Sequence, residues 1–549
     1  MNKRIFSWLV IIIPSAIFIF HASWLWRWII DDAGIFFAYA RNLAQGYGLV
    51  SQPSSLPVEG YSSFLWVIFL SPFFYFNAFD PIITTKLLSI FLVILFFVIM
   101  AKSLSFYQNI GKGITFIVLV LLALNSSFVI WTTSGLENAL YVALIGWLFY
   151  QLVRNRTEET SDIYHAVILA VIVFLISITR PDGIIYFFIY PFLLLFDLIK
   201  KFGGPLNFKI KKLLAYSIIF AALFGGFIIF RLLYFKDILP NTYYVKVGVG
   251  LKDLVTTTLF GGQIPGKGNF LLTSVIGQWA EIMFIGLALI TIYLIFKNQF
   301  GRRYFVLALF LALSVLDYII LPLDWMGELR FATPFFGFFY AYLVIIVITF
   351  VRSLNLKYFF RTALLVLILG SLVIFSVFMF GQRSIQFVRQ PTVPFSDVAK
   401  DFGLKFNQYA NQLGIKNGSI FLPDVGGTLY YSSLRVYDLV GLIDKTTATT
   451  LGRNQADFYD YVFEDLKPTF IHVHGCWSYL AALDNDGRFR RDYIPIYEYP
   501  SVWIKRSYGL TIYSGDYIRK DAISRDNLDK FQYLKINFRP AKWVLLADE

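Results

Sequence analysis

Cysteine, histidine and charged side chains are all scarce in this chain of 549 residues. One cysteine, Cys476, excludes an intramolecular disulfide, and four scattered histidines give little material for a metal site. Only 15% of the residues are charged, against roughly 25% in ordinary soluble domains. We see no internal repeat, low-complexity tract or coiled-coil heptad. These absences exclude an ordinary soluble domain, a disulfide-stapled domain and a repeat array.

What the chain has instead is apolar and aromatic, with 57% hydrophobic and 19% aromatic residues. A helix that crosses a bilayer needs about 20 apolar residues. Candidate spans lie at 5–28, 61–79, 82–101, 113–130, 137–153, 164–179, 184–199, 213–234, 276–296, 304–323, 332–351 and 362–380. No A-x-A-like cleavage site follows the first, so we expect an uncleaved membrane helix rather than a secretory signal. The predicted fold class is mainly α, a polytopic membrane helix bundle.

The net charge of +13 indicates membrane topology rather than nucleic-acid binding, because lysine and arginine cluster in short loops, as the positive-inside rule expects. The basic loops, which we expect in the cytoplasm, lie at 154–156, 200–212, 297–303 and 352–361. The other loops and the tail after Phe380 then lie outside. Twelve complete crossings would return the tail to the cytoplasm, so one stretch cannot cross. We expect 61–79, which Pro72 interrupts, to re-enter the membrane and return, which leaves about 11 crossings.

Composition changes at about Gln382, where apolar runs shorten and charges of both signs mix. Ser396 can cap a helix that runs to Asn411. Short buried strands are predicted at 419–424, 435–441 and 469–475, with a helix near 454–466. Strands that alternate with helices predict a small α/β domain. The predicted domains are therefore 1–381, in the membrane, and 382–549, a soluble domain outside it.

Asp31 and Asp32 stand directly after the first apolar stretch. Ionisable groups at a membrane boundary are costly to desolvate, so a pair of carboxylates there is a functional-site hypothesis by default. One carboxylate could accept a proton from an incoming hydroxyl while the other orients it. The alternative is a solvated helix end. Arg41, Glu59 and Tyr61 follow in the same predicted outer loop, and their presence favours the functional interpretation.

The loops SGLEN (134–138) and RPDG (180–183) also carry charges. Glu137 begins an apolar helix, where an interaction with the helix dipole would explain a carboxylate equally well. Arg180 and Asp182 flank a proline in a turn. The turn itself does not explain why two opposite charges are held at the membrane surface, so this pair favours function.

Two further outer loops contain groups suited to a sugar or a phosphate. LPNTYYVK (239–246) holds Asn241, Tyr243 and Lys246, although tyrosines at an interface are usually membrane anchors. LDWMGELR (323–330) carries Asp324 and Arg330. An arginine fork suits bidentate recognition of phosphate, and an ion pair with a neighbouring carboxylate is the alternative.

His472 and His474 alternate along a predicted strand, with no other metal-ligating residues near them in sequence. A metal site usually needs three or four such ligands. We therefore expect a structural role for both histidines.

Gathered on one face, these loops resemble those of the GT-C glycosyltransferases, and most closely the family of the mycobacterial terminal β-(1→2)-arabinofuranosyltransferase. The segments that carry the resemblance, in order from residue 31 to about residue 444, are DDAGIFFAYARNLAQGYGLV, PVEGYSSFLW, SGLEN, RPDG, LPNTYYVK, DWMGELR, DVGGTLYY and VYDLVGLID. Asp182 stands where the family often has Glu, and Leu323-Asp324 where it has Gly-Gly-Asp or similar. Both departures weaken a transfer of arabinose specificity.

The resemblance implies a glycosyltransferase that moves a sugar, such as arabinofuranose, from a polyprenyl-phosphate donor to a cell-envelope glycan, glycolipid or protein, with inversion. Asp31 would be the general base, and Asp32 would fix the acceptor or the base. Arg330, assisted by Arg180 or Lys246, would meet the charge on the leaving phosphate. The other residues implied in substrate binding are Arg41, Glu59, Tyr61, Glu137, Asp182, Asn241, Tyr243 and Asp324, with Asp424, Tyr430 and Asp438 of the tail over the cavity. No cofactor is implied, and a divalent cation held by Asp31 and another carboxylate is an open alternative.

The site and the tail would face the periplasm or exterior of a bacterial cytoplasmic (inner) membrane. Two other functions stay open, a transporter or flippase of lipid-linked saccharides and a non-catalytic partner in envelope assembly. A transporter would be expected to place charges within its spans and to show repeat symmetry. In this chain the informative charges lie at one surface.

Overall fold

The computed structural model describes residues 3–107, 110–154, 163–202, 205–247, 271, 280–321 and 325–548. The first part is a helix bundle. Its helices are α1 (Lys3–Ser23), α2 (Ala33–Ala44), α3 (Phe64–Tyr75), α4 (Pro81–Leu104), α5 (Lys112–Leu124), α6 (Ser126–Thr132), α7 (Asn138–Val153), α8 (Ile163–Thr179), α9 (Ile189–Ile199), α10 (Leu206–Tyr234), α11 (Asn241–Val247), α12 (Ala280–Phe296), α13 (Arg302–Ile320), α14 (Thr333–Ser353) and α15 (Tyr358–Arg389). Short 3-10 segments, Pro181–Phe188 and Arg330–Ala332, lead into α9 and α14.

Several of these helices can cross a membrane. Within the described residues, six apolar helical segments are long enough, and the pair α5 and α6, bent by 69°, would make a seventh. Five further apolar helices have only 10–17 residues. The chain is thus a multi-pass membrane protein, but the expected 11 crossings are not confirmed.

The segment expected to re-enter the membrane, 61–79, contains the twelve-residue helix α3. At 1.5 Å per residue it is about 18 Å long, shorter than a hydrocarbon core of about 30 Å. Near its start Trp66 donates Nε1–H to the Gly135 carbonyl (3.1 Å), and beyond its end Phe79 packs on Phe37, with 5.0 Å between ring centroids. Gly135 packs against the start of α2 and Phe37 belongs to α2, so both contacts lie near α2, and the re-entrant course stays a prediction.

The tail is a sheet covered by short helices. Its strands are β1 (Ser419–Leu422), β2 (Arg435–Asp438), β3 (Phe470–Val473), β4 (Tyr493–Pro500) and β5 (Tyr513–Arg519), in the order β2-β1-β3-β5-β4. β2, β1 and β3 are parallel, whereas β5 runs antiparallel to both β3 and β4. The three predicted strands are therefore present, and the two antiparallel ones are additions that the sequence did not predict.

The helices of the tail are α16 (Phe395–Val398), α17 (Lys405–Leu413), α18 (Gly426–Tyr431), α19 (Lys445–Thr450), α20 (Gln455–Asp460), α21 (Gly475–Ala481), α22 (Gly487–Asp492), α23 (Val502–Tyr508), α24 (Leu528–Asn537) and α25 (Lys542–Asp548). π-helical turns, Ala399–Leu404 and Tyr461–Leu466, continue α16 and α20. The helix expected to start from a Ser396 cap begins instead at Phe395 after Pro394. Because α15 runs on to Arg389, past residue 381, the domain boundary stays a prediction.

The sheet rests on the bundle with one of its faces. Successive strand residues point to opposite faces of a sheet. Along β1, Ile420 and Leu422 join the apolar core that is continuous with the bundle, whereas Phe421 joins a second core on the far side. The carboxyl ends of β1 and β3 are therefore carried to the boundary between tail and bundle.

Candidate active site

The loops singled out from the sequence meet at one end of the bundle, which we call the site face. It comprises residues 29–66, 134–138, 180–182, 237–246 and 325–330. Hydrogen bonds join these segments from Ile30 N–H to the Ser134 carbonyl (3.1 Å), from Asn241 N–H to the Glu59 carbonyl (2.9 Å) and from the Asn138 amide to the Arg330 carbonyl (3.2 Å). Asp324, also predicted in this set, lies outside the described residues.

Asp31 is buried on the site face, with 4% of its surface exposed. One carboxylate oxygen accepts the N–H of Gly426 (3.1 Å) and the other accepts the N–H of Gly427 (2.7 Å). These are the first residues of α18, whose N–H groups have no acceptor within the helix. A carboxylate there satisfies them with charge-assisted hydrogen bonds. Asp31 therefore binds the backbone of the tail.

The two glycines of the DVGG segment make this approach possible. A Cβ atom on Gly426 would lie 1.9 Å from the Asp31 carbonyl oxygen. One on Gly427 would lie 2.6 Å from the Phe395 carbonyl oxygen and from the Ala399 nitrogen. Since backbone atoms cannot move aside as a flexible side chain can, both positions require glycine.

Arg41 holds the opposite end of α18. Its guanidinium donates to the carbonyls of Tyr430 (2.9 Å) and Leu429 (3.1 Å) and lies 5.1 Å from the centroid of the Tyr430 ring. The last carbonyls of a helix also lack partners within it. We call Asp31, Arg41 and α18 the α18 clamp, because the acidic Asp31 binds the amino end of the helix and the basic Arg41 binds its carboxyl end.

Asp32 and Asp424 complete a carboxylate cluster with Asp31. Asp32 precedes α2 and is half-buried, so it is the more exposed of the adjacent pair. Asp424 follows β1. Burial, together with the charge of Asp32, raises the pKa of Asp424 to about 7. Burial and the charges of Asp424 and Asp32 raise the pKa of Asp31 well above its ordinary value, although the glycine N–H groups oppose the shift.

A buried row of polar side chains, the polar row, continues from this cluster into the tail. His474 Nε2 lies 3.5 Å from Asp424 Oδ2, and His474 Nδ1 lies 2.9 Å from His472 Nε2. His472 Nδ1 is 2.6 Å from Asp516 Oδ1, and Lys405 Nζ is 2.8 Å from Asp516 Oδ2. The sequence could not link the histidines to Asp516, because Asp516 lies on β5, which was not predicted.

A second group of charges lies around Phe331. Arg180 forms buried ion pairs with Asp182 (2.9 Å) and Glu137 (3.6 Å). The guanidinium carbons of Arg180 and Arg330 lie 4.7 Å and 4.6 Å from the centroid of the Phe331 ring. We call Arg180 and Arg330 the arginine pair. The structure thus brings together residues from SGLEN, RPDG and GELR, three loops that are distant in sequence.

The remaining predicted residues lie between bundle and tail. Glu59 forms a buried ion pair with Arg231 (2.9 Å), which the sequence did not single out. The Asn241 amide donates to the carbonyls of Gly441 (2.6 Å) and Leu442 (3.1 Å) in the tail. Tyr61 is buried against Tyr39, Tyr243 is half-buried, Lys246 is exposed, and Asp438 caps the N–H groups of Val440 and Ile443. Asn241 therefore adds to the contact that holds the tail, whereas Glu59 is paired within the bundle.

The open alternative of a divalent cation at Asp31 does not fit these residues. Both oxygens of Asp31 already accept backbone N–H groups. In the part of the chain that the structure describes, no group of three or more His, Cys, Asp or Glu side chains is arranged to hold a metal ion. We therefore derive no step through a metal.

Sequence comparison reaches only part of the tail. A family described as "Domain of unknown function (DUF8728)" matches residues 401–517. No curated protein matches the chain.

Solved structures match nearly the whole chain. The oligosaccharyltransferase AglB from Archaeoglobus fulgidus, in complex with an inhibitory peptide and a dolichol-phosphate, superposes with a TM-score of 0.54 at 10% identity, covering 93% of this chain and 74% of that chain. ArnT from Cupriavidus metallidurans, bound to undecaprenyl phosphate, superposes with a TM-score of 0.53 at 10% identity, covering 84% and 92%. The chain has the GT-C fold. The GT-C resemblance is thus confirmed for the fold, whereas the arabinofuranosyltransferase family is not confirmed.

An oligosaccharyltransferase from Archaeoglobus fulgidus, tethered with an acceptor peptide containing the NVT sequon, superposes on this chain with a TM-score of 0.55 at 12% identity. That match covers 93% of this chain and 74% of that chain. Because a fold does not by itself define a function, residue roles must be argued from the site itself.

Proposed function

We propose that this protein is a membrane glycosyltransferase that uses a polyprenyl-phosphate-linked sugar. The observation that carries the proposal is a GT-C fold with a carboxylate cluster and an arginine pair on one face. AglB was solved with a dolichol-phosphate and ArnT with undecaprenyl phosphate, and both lipids are polyprenyl phosphates. The same chemical class is therefore our choice for the donor.

Asp32 is the general base in this proposal, although the sequence favoured Asp31. Both oxygens of Asp31 accept N–H groups of the tail and its side chain is buried, so an incoming hydroxyl reaches Asp31 less readily. Asp32 is more exposed and can meet a hydroxyl. The acceptor oxygen attacks the anomeric carbon and loses its proton to Asp32. The bond from that carbon to the phosphate oxygen breaks, its electron pair leaves with the phosphate, and the configuration inverts.

Arg330 is our choice for the leaving phosphate, with Lys246 in a secondary role. Arg180 is already bound by Asp182 and Glu137, so we assign it to holding the Phe331 ring on which Arg330 also lies. A guanidinium fork matches the oxygens of a phosphate and stabilises the charge that grows as the bond breaks.

The proposal also covers the location of the site, the class of acceptor and the donor sugar. We place the site face at the outer surface of a bacterial cytoplasmic membrane, with a cell-envelope glycan, glycolipid or protein as acceptor. A pentofuranose such as arabinofuranose is the first donor sugar to try. Tyr61, Glu137, Asp182, Asn241 and Tyr243 are the candidates for the sugar and acceptor pocket.

The test is a transfer assay with purified protein in nanodiscs and a panel of polyprenyl-phospho-sugars, measured as release of polyprenyl phosphate. We expect acceptor-dependent release, reduced about 10²-fold or more by Asp32→Asn or by Arg330→Gln. The matched control is Asp526→Asn, an exposed aspartate of the tail, which should release at the wild-type rate. A wild-type protein that moves labelled donor across liposomes without releasing the phosphate would instead be a flippase.

A further inference from the structure

The tail brings two buried histidines to the carboxylate cluster, and the proposed reaction does not yet use them. His472 and His474 lie on and directly after β3, with 1% and 7% of their surfaces exposed. Contacts through their ring nitrogens connect Asp424, His474, His472 and Asp516 in that order. A neutral imidazole donates from one nitrogen and accepts at the other, so the proton on each ring is set by its neighbours.

Asp516, which lies farthest from the carboxylate cluster, determines the tautomers of His472 and His474. Lys405 and His472 hold the pKa of Asp516 below its ordinary value, against the effect of burial, so Asp516 is ionised and can only accept. His472 Nδ1 must therefore donate to it. Burial lowers the pKa of His472 to about 4, so this ring is neutral near pH 7 and its Nε2 accepts. His474 Nδ1 must then donate to His472 Nε2, 2.9 Å away.

The tautomer of His474 then determines whether the nitrogen that faces Asp424 carries a proton. With its proton on Nδ1, a neutral His474 turns the lone pair of Nε2 toward Asp424, 3.5 Å away. A single proton can lie between these two groups, on the Asp424 carboxyl or on the His474 ring. Three carboxylates in one cluster favour the uptake of a proton by a pair that holds none, because like charges at close range oppose full ionisation.

We propose that the Asp424–His474 pair receives the proton that the acceptor hydroxyl loses, with His472 and Asp516 as positioning residues. This role rests on the proposed function. The pair enters the reaction as a carboxylate and a neutral ring, and the hydroxyl proton passes first to Asp32, then to Asp424 and on to His474 Nε2. His474 becomes an imidazolium while Asp424 returns to its carboxylate form. The proton leaves to solvent when products depart, so that no oxidant, reductant or further reactant is needed.

Other titratable groups lie around the side chains that run from Asp424 to Asp516. They are Asp31 and Asp32 from the first loop, Lys405 and Tyr409 from α17, Asp516 from β5, and Asp401, which accepts a hydrogen bond from the Trp543 ring packed on His474. The acidic side chains outnumber the one lysine, and Lys405 is held at the far end by Asp516. The local field therefore favours a positive charge on His474.

The first experiment needs no substitution and no substrate. Solid-state nuclear magnetic resonance of the full-length protein, with ¹⁵N in its four histidine rings, reports which nitrogens carry protons. We expect His472 neutral with its proton on Nδ1, and His474 always protonated on Nδ1, gaining a proton on Nε2 as the pH is lowered. A neutral His474 with its proton on Nε2 alone would overturn the proposal.

The second experiment measures transfer kinetics. We expect His474→Gln to lower kcat about 10²-fold with KM unchanged, because glutamine forms hydrogen bonds but cannot take up a proton. Asp516→Asn should lower kcat less and change the His474 tautomer in the same spectra. His165→Gln is the matched control, since His165 bonds the Gln151 carbonyl away from the site (3.2 Å).

The two proposals fail in different ways. A wild-type protein that releases no polyprenyl phosphate contradicts the proposed function. A wild-type protein that transfers sugar, beside a folded His474→Gln variant with an unchanged kcat, overturns only the role of the histidine pair.

Discussion

The site face holds two groups of buried charge that differ in what they bind. In the α18 clamp, Asp31 and Arg41 bind backbone groups of the tail. Around Phe331, Arg180 binds other charged side chains, Asp182 and Glu137. A charge at a membrane boundary is a reasonable first sign of a functional site. The clamp shows that a charge at a membrane boundary can instead mark the place where a second domain attaches.

The difference predicts how each group responds to substitution. A charge bound to other charges leaves them uncompensated when it is removed, whereas a charge bound to backbone N–H or carbonyl groups leaves behind neutral dipoles. We therefore expect larger losses of stability around Phe331 than in the clamp.

Arg180→Gln should have the largest effect, about 3–5 kcal/mol of unfolding free energy, because two buried carboxylates lose their counter-ion. Denaturant unfolding of the detergent-solubilised protein measures it. The double variant Arg180→Gln, Asp182→Asn should recover part of the loss, since one uncompensated charge is gone. A single variant within about 0.5 kcal/mol of wild type would show that the ion pairs do not stabilise the fold.

Gly426→Val should come next, at about 3 kcal/mol, because its Cβ would lie 1.9 Å from the Asp31 carbonyl oxygen. Limited proteolysis should release the tail from the bundle. Gly487→Ala is the control, since a Cβ there meets no atom within 4 Å. Equal proteolysis of the two variants would mean that the close approach of α18 does not hold the tail.

The stability of the clamp region should also depend on pH through Asp424. Its pKa of about 7 lies above the usual 3.8, so folding favours the protonated form. That contribution is complete below about pH 4 and is lost as the pH rises to about 7, at up to about 1.4 kcal/mol per pH unit. Thermal unfolding between pH 5 and 8 should show this decline in wild type and a flatter curve in Asp424→Asn. Parallel curves for the two proteins would contradict it.

Arg41→Gln should have the smallest effect, about 1 kcal/mol, because glutamine can still donate to one carbonyl of α18. The exposed Arg525, changed to Gln, serves as control and should shift stability by less than about 0.5 kcal/mol. Unfolding midpoints compare them. A loss as large as that of Arg180→Gln would remove the distinction between the two groups.

The sequence predicted β1 to β3 because each is a short apolar run that ends at a polar group. It did not predict β4, because Pro495 and Pro500 argue against a strand. The structure places β4 at the sheet edge, with an irregularity next to Pro495, where proline is tolerated. β5 contains Gly515 and Asp516, a pair typical of turns. Gly515 is needed there because a Cβ would lie 2.3 Å from the Tyr497 carbonyl oxygen.

The candidate site was predictable as a set of loops but not as a set of contacts. Charge distribution and the positive-inside rule place the acidic loops on one face. They cannot show that Asp31 meets Gly426, which lies 395 residues later. The same holds for Asp424, which reaches the cluster only because β1 points at the bundle. Hydrogen bonds between distant segments depend on tertiary packing, which no local pattern contains.

The most direct test compares Asp31→Asn with Asp32→Asn in one preparation, by rate of polyprenyl-phosphate release and by thermal unfolding. We predict that Asp32→Asn lowers the rate about 10²-fold or more with an unchanged unfolding temperature. Asp31→Asn should lower the unfolding temperature and make the tail sensitive to protease, since it weakens two charge-assisted hydrogen bonds to α18. A fully stable but inactive Asp31→Asn, beside an active Asp32→Asn, would contradict this division between a residue that reacts and a residue that holds the tail.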